Sequence, residues 1–157
     1  MKNLITKEQV ISLAFGDGEY VSPEVILDSD IAAASERYIL PIVGEKLYEE
    51  MLRGSHSTLI NDFVAPALAM AVRTMIQPAL NVRTGQLGLH ISSSLRADSS
   101  TKTAMQTLQK SLRCRRQALL KRLSNYLKSH SSAFPNYDVR CDALQKCTID
   151  GGYVQMR

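Results

Sequence analysis

Three histidines (His56, His90, His130) and three cysteines (Cys114, Cys141, Cys147) are the residues in this 157-residue chain best suited to metal or nucleophile chemistry. They are scattered. A metal site needs several ligands converging at fixed spacing, and Cys141 and Cys147 form no CxxC pair and have no histidine beside them. Serines and aspartates are plentiful, but there is neither a GxSxG element nor a phosphate-cradling glycine loop. Asp17 and Glu19 have the types for acid–base work, yet beside Gly16 and Gly18 they read more simply as solvated loop carboxylates. Nothing gathers the nucleophile, base and oxyanion donors that catalysis requires. The expectation is a non-enzymatic protein with no metal and no cofactor.

What does recur is positive charge. Residues 1–100 hold eight Lys/Arg against twelve Asp/Glu, net −4, and residues 101–157 hold eleven against three, net +8. No acid occurs between Asp98 and Asp138. Such asymmetry asks for an anionic partner, either nucleic acid or an acidic protein surface. Lys110, Arg113, Arg115, Lys121, Arg122 and Lys128 are candidates to face DNA or an acidic partner, since cations of this kind track a phosphate backbone. The same residues also suit a solvated face that keeps an assembly soluble. Arg116 differs, because the helical angle puts it about 20° from the centre of its helix's apolar stripe. It must snorkel outward or meet an acid. The acid-free surroundings exclude a local partner, so Glu36, Glu45, Glu49 or a neighbouring chain would have to supply the carboxylate.

These side chains need helices to position them. The run from Leu59 to Leu80 is apolar almost all round, with Asp62, Pro66, Arg73 and Gln77 on one narrow stripe, so it should be buried as the central helix. Met75 is assigned to that core. Two charges, two prolines and an alanine-rich composition argue against a membrane span. Pro78 should end the helix near Gln77. Thr6-Lys7-Glu8-Gln9 has the form of a capping box opening a short first helix, and Ser22-Pro23-Glu24 is a second start of about one turn. A helix from Ile31 should be interrupted at Pro41, and the next should stop at Arg53-Gly54. From about Thr101 to His130 a stripe of Met105, Leu108, Leu112, Leu119, Leu120, Leu123, Tyr126 and Leu127 marks a long last helix.

Between them, Leu87, Leu89 and Ile91 alternate with period two, the mark of a short strand or hairpin and a candidate oligomer or partner edge with Arg116. The Ser-rich run that follows suggests a mobile loop. Residues 136–157 have no clear period, so they read as an irregular tail, loose or docked on a neighbour, after a helical domain at 1–135. The expected class is all-α, a compact bundle around a buried central helix with a loop or hairpin excursion before the last helix. An odd cysteine count without CxxC and an N-terminus lacking a long apolar stretch point to a reducing, intracellular setting without a signal peptide.

Four segments carry a resemblance. They are Ile5-Thr6-Lys7-Glu8-Gln9-Val10, the run Asp30 to Ile39 (DIAAASERYI), Val43-Gly44-Glu45-Lys46-Leu47-Tyr48, and Pro78-Ala79-Leu80-Asn81. Over about residues 4–130 the chain resembles the small helical head–tail connector (head-completion adaptor) proteins of tailed bacteriophages and prophages. The resemblance implies a structural subunit of a homo-oligomeric ring at the portal vertex. Its partners would be portal and tail-completion proteins, with possible non-specific contact with DNA and no membrane. It implies a place in the bacterial cytoplasm during assembly and then at the virion head–tail junction. Two other readings remain open from the residues alone: a helical nucleic-acid-binding domain using the 110–128 face, and a small dimeric intracellular regulator.

Overall fold

A computed structural model describes residues 3–16, 19, 21–80, 82–85, 88–91, 99–145, 147–150 and 153–156, with side chains for the helical part. The protein is mostly α-helical. In order come α1 (Lys7–Ala14), a 3-10 turn (Pro23–Val25), α2 (Asp28–Ala34), α3 (Leu40–Val43), α4 (Glu45–Leu52), α5 (Ser57–Leu59), α6 (Ala65–Leu80) and α7 (Ser99–Ser129). Two short antiparallel pairs complete the described elements: β1 (Val82–Gly85) with β2 (Gly88–Ile91), and β3 (Cys147–Asp150) with β4 (Tyr153–Met156).

The local chemistry explains most boundaries. Thr6 accepts from the Gln9 amide and Gln9 Oε1 accepts from the Thr6 amide, so the capping box closes α1 at its start. Pro23 opens the single 3-10 turn. Gly44 at φ +79° and Gly54 at φ +96° end α3 and α4 in the left-handed region, where a side chain is disfavoured.

The prolines behave differently from expectation. Pro41 does not interrupt its helix, because a π segment (Ser35–Ile39) joins α2 to α3. A second π segment (Ile60–Val64) joins α5 to α6 just ahead of Pro66, giving one 24-residue helix, Ser57–Leu80. In both, the residue before the proline donates five residues back, Leu40 to the Ser35 carbonyl and Ala65 to the Ile60 carbonyl. The proline, which has no N–H, then starts the next α turn without breaking a bond already made. Nor does Pro78 stop α6, which runs on to Leu80. The missing Pro78 amide would orphan the Thr74 carbonyl, but Gln109 Nε2 on α7 donates to that oxygen at 3.2 Å.

The central helix is where the sequence places it. Ala65, Ala67, Leu68, Ala69, Met70, Ala71 and Val72 are buried, and α1, α2 and α7 pack on it. By length and composition Ser57–Leu80 could cross a membrane, but 67% of its apolar window is buried within this chain. Its small alanines let neighbouring helices approach closely, which widens the buried girth. Leu112, Leu120, Leu123 and Leu127 of α7 are buried against the core as expected, while Leu108 stays 39% exposed.

Two assignments change. Met75 is only half-buried and lies at the surface. The start of the tail, residues 137–145, packs onto the helices of its own chain. Phe134, Tyr137 and Asp142 are buried, and the Ala143 amide donates to the Pro41 carbonyl at 2.9 Å. Asp142 Oδ2 accepts from Ser124 Oγ at 2.6 Å and from the Tyr137 hydroxyl at 2.7 Å. Leu87 and the Ser-rich loop fall outside the described residues, as do the side chains of Leu89 and Ile91.

Met70→Asp should lower stability by more than about 4 kcal/mol, since it strands a charge in the core. Met75→Asp should cost clearly less than Met70→Asp, because Met75 is only partly buried at the edge of the core. Urea unfolding of both variants checks the contrast, and equal losses would mean the core is misplaced.

Candidate functional site

Successive turns of two helices and one π segment build a concave cluster of guanidinium groups. Gln109, Arg113 and Arg116 are four and three residues apart on α7, so they share one side of the helix. Arg37 and Tyr38 face them from the Ser35–Ile39 π segment, and Thr74 and Met75 close the base from α6. These seven residues line a hollow of about 470 Å³ that contains no Asp or Glu. Tyr38 organises it. The Arg116 guanidinium carbon lies 4.4 Å from the Tyr38 ring centroid and that of Arg37 lies 5.4 Å away, both within cation–π range. Arg116 Nη1 also donates to the Tyr38 hydroxyl at 3.1 Å, while its Nε is buried with no hydrogen-bond partner.

Within the chain, Arg116 meets Tyr38 and not one of the expected carboxylates. Among the described residues no carboxylate lies within ion-pair distance of it. Glu49 is taken by Arg53 at 3.3 Å, and Glu36 and Glu45 are exposed without an ion pair. An aromatic face and one hydroxyl hold the charge, and the fork's remaining donors are left for something else.

An apolar surface adjoins this cluster through Met75. On its far side Met75 borders a hollow of about 330 Å³ lined also by Val25, Leu27, Ile76, Ala79 and one acid, Asp30, whose Oδ2 accepts from the Leu27 amide. Val25 is 49% exposed and Leu27 is 55% exposed, unusually open for branched aliphatics side by side. Val25 also borders a third hollow with Leu80 and the exposed Leu108. One face thus joins aliphatic side chains to three arginines.

The other expected cations divide among several faces. Lys110, Arg113, Arg115, Lys121, Arg122 and Lys128 are all exposed. At about 100° per residue, Lys110, Lys121 and Lys128 lie opposite the core, Arg115 and Arg122 lie on one flank, and Arg113 lies on the other. They form no single stripe. Arg122 lies over the Phe63 ring at 4.9 Å, and Lys128 donates to Gln145 Oε1 at 3.2 Å.

Two polar constellations escaped the sequence reading. Glu19 is not simply solvated, for its Oε1 accepts from Arg73 Nη2 at 2.7 Å, and Arg73 Nη1 donates to the Ala14 carbonyl. Arg73 is buried on α6, its guanidinium 4.5 Å from the Phe15 ring centroid. That hydrogen bond holds the Glu19 carboxyl below its ordinary range. A lone arginine in an apolar helix was the available signal. The second constellation is Ser124, Tyr137 and Asp142. Burial, with the Asp142 carboxylate beside it, pushes the Tyr137 phenol far above its usual range, so it stays a donor. Ser124 and Tyr137 both give their protons to the one acid oxygen, an arrangement that clips the tail to α7 and leaves no free base for nucleophilic chemistry. Among the described residues, no three His, Cys, Asp or Glu side chains gather as metal ligands would.

Residues 25–144 match the family of unknown function DUF6712, and the chain belongs to that family. The matched span runs from the exposed Val25 through the docked start of the tail. No curated protein and no solved structure matches the chain.

The Glu19 carboxyl is depressed in the folded state, so its contribution is present above the ordinary carboxylate range and is lost as pH falls through the folded value. Glu19→Gln should cost about 1 kcal/mol at neutral pH, held to that size because Glu19 is half exposed. The deficit relative to the native chain should close in acid. Denaturant unfolding at the two pH values checks this, and a deficit unchanged in acid would mean that packing, not charge, is lost.

Proposed function

We propose that this DUF6712 member is a non-enzymatic structural subunit that assembles head-to-tail into a ring of the bacteriophage head–tail connector kind. The single observation that carries the reading is the continuous face on which exposed Val25, Leu27 and Leu108 run into the acid-free hollow of Arg37, Arg113 and Arg116. Aliphatic centres bordered by arginine are the composition of protein interfaces, where Lys is depleted and Arg enriched. The charge imbalance between the two parts of the chain supports the same reading, because it favours contact between the acidic part of one copy and the basic part of the next, and such a heterologous contact closes into a ring when the rotation allows.

The connector-like segments from Ile5 to Asn81 supply the biological setting. In that setting the protein is made in the bacterial cytoplasm and ends at the virion head–tail junction, between portal and tail-completion proteins. The bundle serves as the rigid body of the subunit. The 81–100 excursion, which follows α6 in sequence, is the element proposed to reach a neighbour. DNA contact is secondary here, since the exposed cations of α7 are spread around the helix and a duplex would meet only one flank.

Light scattering over a concentration series should give a mass of several subunits, above a dimer, that falls as the protein is diluted. A monomer at every concentration, or a mass that stops at two subunits, would contradict the ring. Binding to mixed-sequence DNA that weakens steeply with salt, in a chain that stays monomeric, would favour the nucleic-acid reading.

A further inference from the structure

We propose that Arg37, Arg113 and Arg116 form an oxyanion receptor that takes a carboxylate side chain from a second copy of this chain. The identity of the donor rests on the self-assembly reading above, whereas the receptor itself stands on its own geometry. Three guanidinium groups line one hollow with no acid among the lining residues. Like charges so close repel, and the arrangement is relieved when an anion enters. Two of the three lie over the Tyr38 ring, and Arg116 also donates to its hydroxyl, which reduces the side-chain freedom lost on binding. Arg116 Nε is buried and has no acceptor. Arg73 Nε is likewise buried without an acceptor, but Arg73 already has Glu19, whereas Arg116 lines the acid-free hollow with no carboxylate near it.

The chemistry selects an oxyanion of planar, forked geometry. All three cations are arginines, which match a carboxylate or phosphate with paired N–H groups in a way that lysine does not. What separates the two anions is the neighbouring surface. Met75 passes directly from the arginine hollow to exposed Val25 and Leu27. A phosphodiester backbone would leave those aliphatic groups uncovered, while a protein segment carrying an acid among apolar residues would cover both.

The chain itself supplies such acids. Among the described residues, Glu24, Glu36, Glu45 and Asp62 are exposed carboxylates with no ion pair and no hydrogen bond. Glu24 and Glu36 adjoin the receiving face, next to Val25 and Arg37. In a head-to-tail contact the donor must lie on another face. That leaves Glu45, at the start of α4, and Asp62, on the Ile60–Val64 π segment.

Mixing experiments test the pairing. Arg113→Glu spoils the receptor, and a Glu45→Lys, Asp62→Lys double variant spoils the donor. All three positions are exposed, so thermal melting should match the native chain and certify folding. Each variant alone should raise the dissociation constant for self-association by about tenfold or more, as loss of a close interfacial charge pair does. An equimolar mixture should associate again, because the intact receptor of one variant meets the intact acids of the other. Association unchanged in both variants would overturn the receptor while leaving the ring standing. A native chain that never associates would overturn both. Loss of association without recovery on mixing would overturn the assignment of Glu45 and Asp62. Saturable binding of inorganic phosphate or a short DNA duplex, abolished by Arg113→Glu while self-association is untouched, would reassign the hollow to phosphate and overturn the carboxylate.

Discussion

Burial of the Ser57–Leu80 helix is the constraint on which everything else depends. A helix apolar on nearly every side has to be wrapped, and α1, α2 and α7 wrap it. Each wrapping helix then inherits a surface-facing side, and the cations of α7 are arranged by that requirement. Of the prolines in this helix, Pro66 is accommodated by the π segment ahead of it, and Pro78 is tolerated because a neighbouring helix completes the hydrogen bonding. The Gln109 contact to the Thr74 carbonyl is the clearest case, and it also anchors the α7 turn that carries Arg113 and Arg116.

Two arginines in similar apolar surroundings end in different states. Arg73 is enclosed and has a carboxylate, a backbone carbonyl and an aromatic face, so its charge is paired within the chain although its Nε, like that of Arg116, has no acceptor. Arg116 has an aromatic face and a hydroxyl, which leave part of its fork unused. The first arrangement pins the loop after α1 to the core and is structural. The second sits in a hollow open to solvent beside exposed aliphatic groups, and it is the arrangement expected of a surface awaiting a partner.

Much of the fold was legible because it depends on periodicity and capping. The capping box at Thr6, the glycine stop at Gly54, the central helix and the α7 stripe all follow from local patterns. The errors came from features that local patterns do not encode. Pro41 and Pro78 read as breaks because rescue by a π segment or by a side chain thirty residues away is a tertiary event. Met75 lies on an apolar run, yet the side of that run left bare depends on how the other helices are placed. The contact of Arg116 with Tyr38 inside the chain was not legible, because it joins residues 78 apart in sequence. The tail carries no period because Tyr137 and Asp142 dock through single buried hydrogen bonds rather than through a regular face. Of the candidate site, Arg113 and Arg116 were legible as cations, while their convergence with Arg37 was not.

The central claim is that the face joining Val25 and Leu27 to the arginine hollow is where another copy docks. Amide hydrogen exchange followed from dilute to concentrated protein tests it most directly. New protection at Pro23–Val25 and over residues 109–116 of α7, with the 121–128 stretch unchanged, is the predicted result. Protection that appears over 121–128 instead, or exchange independent of concentration, would contradict it.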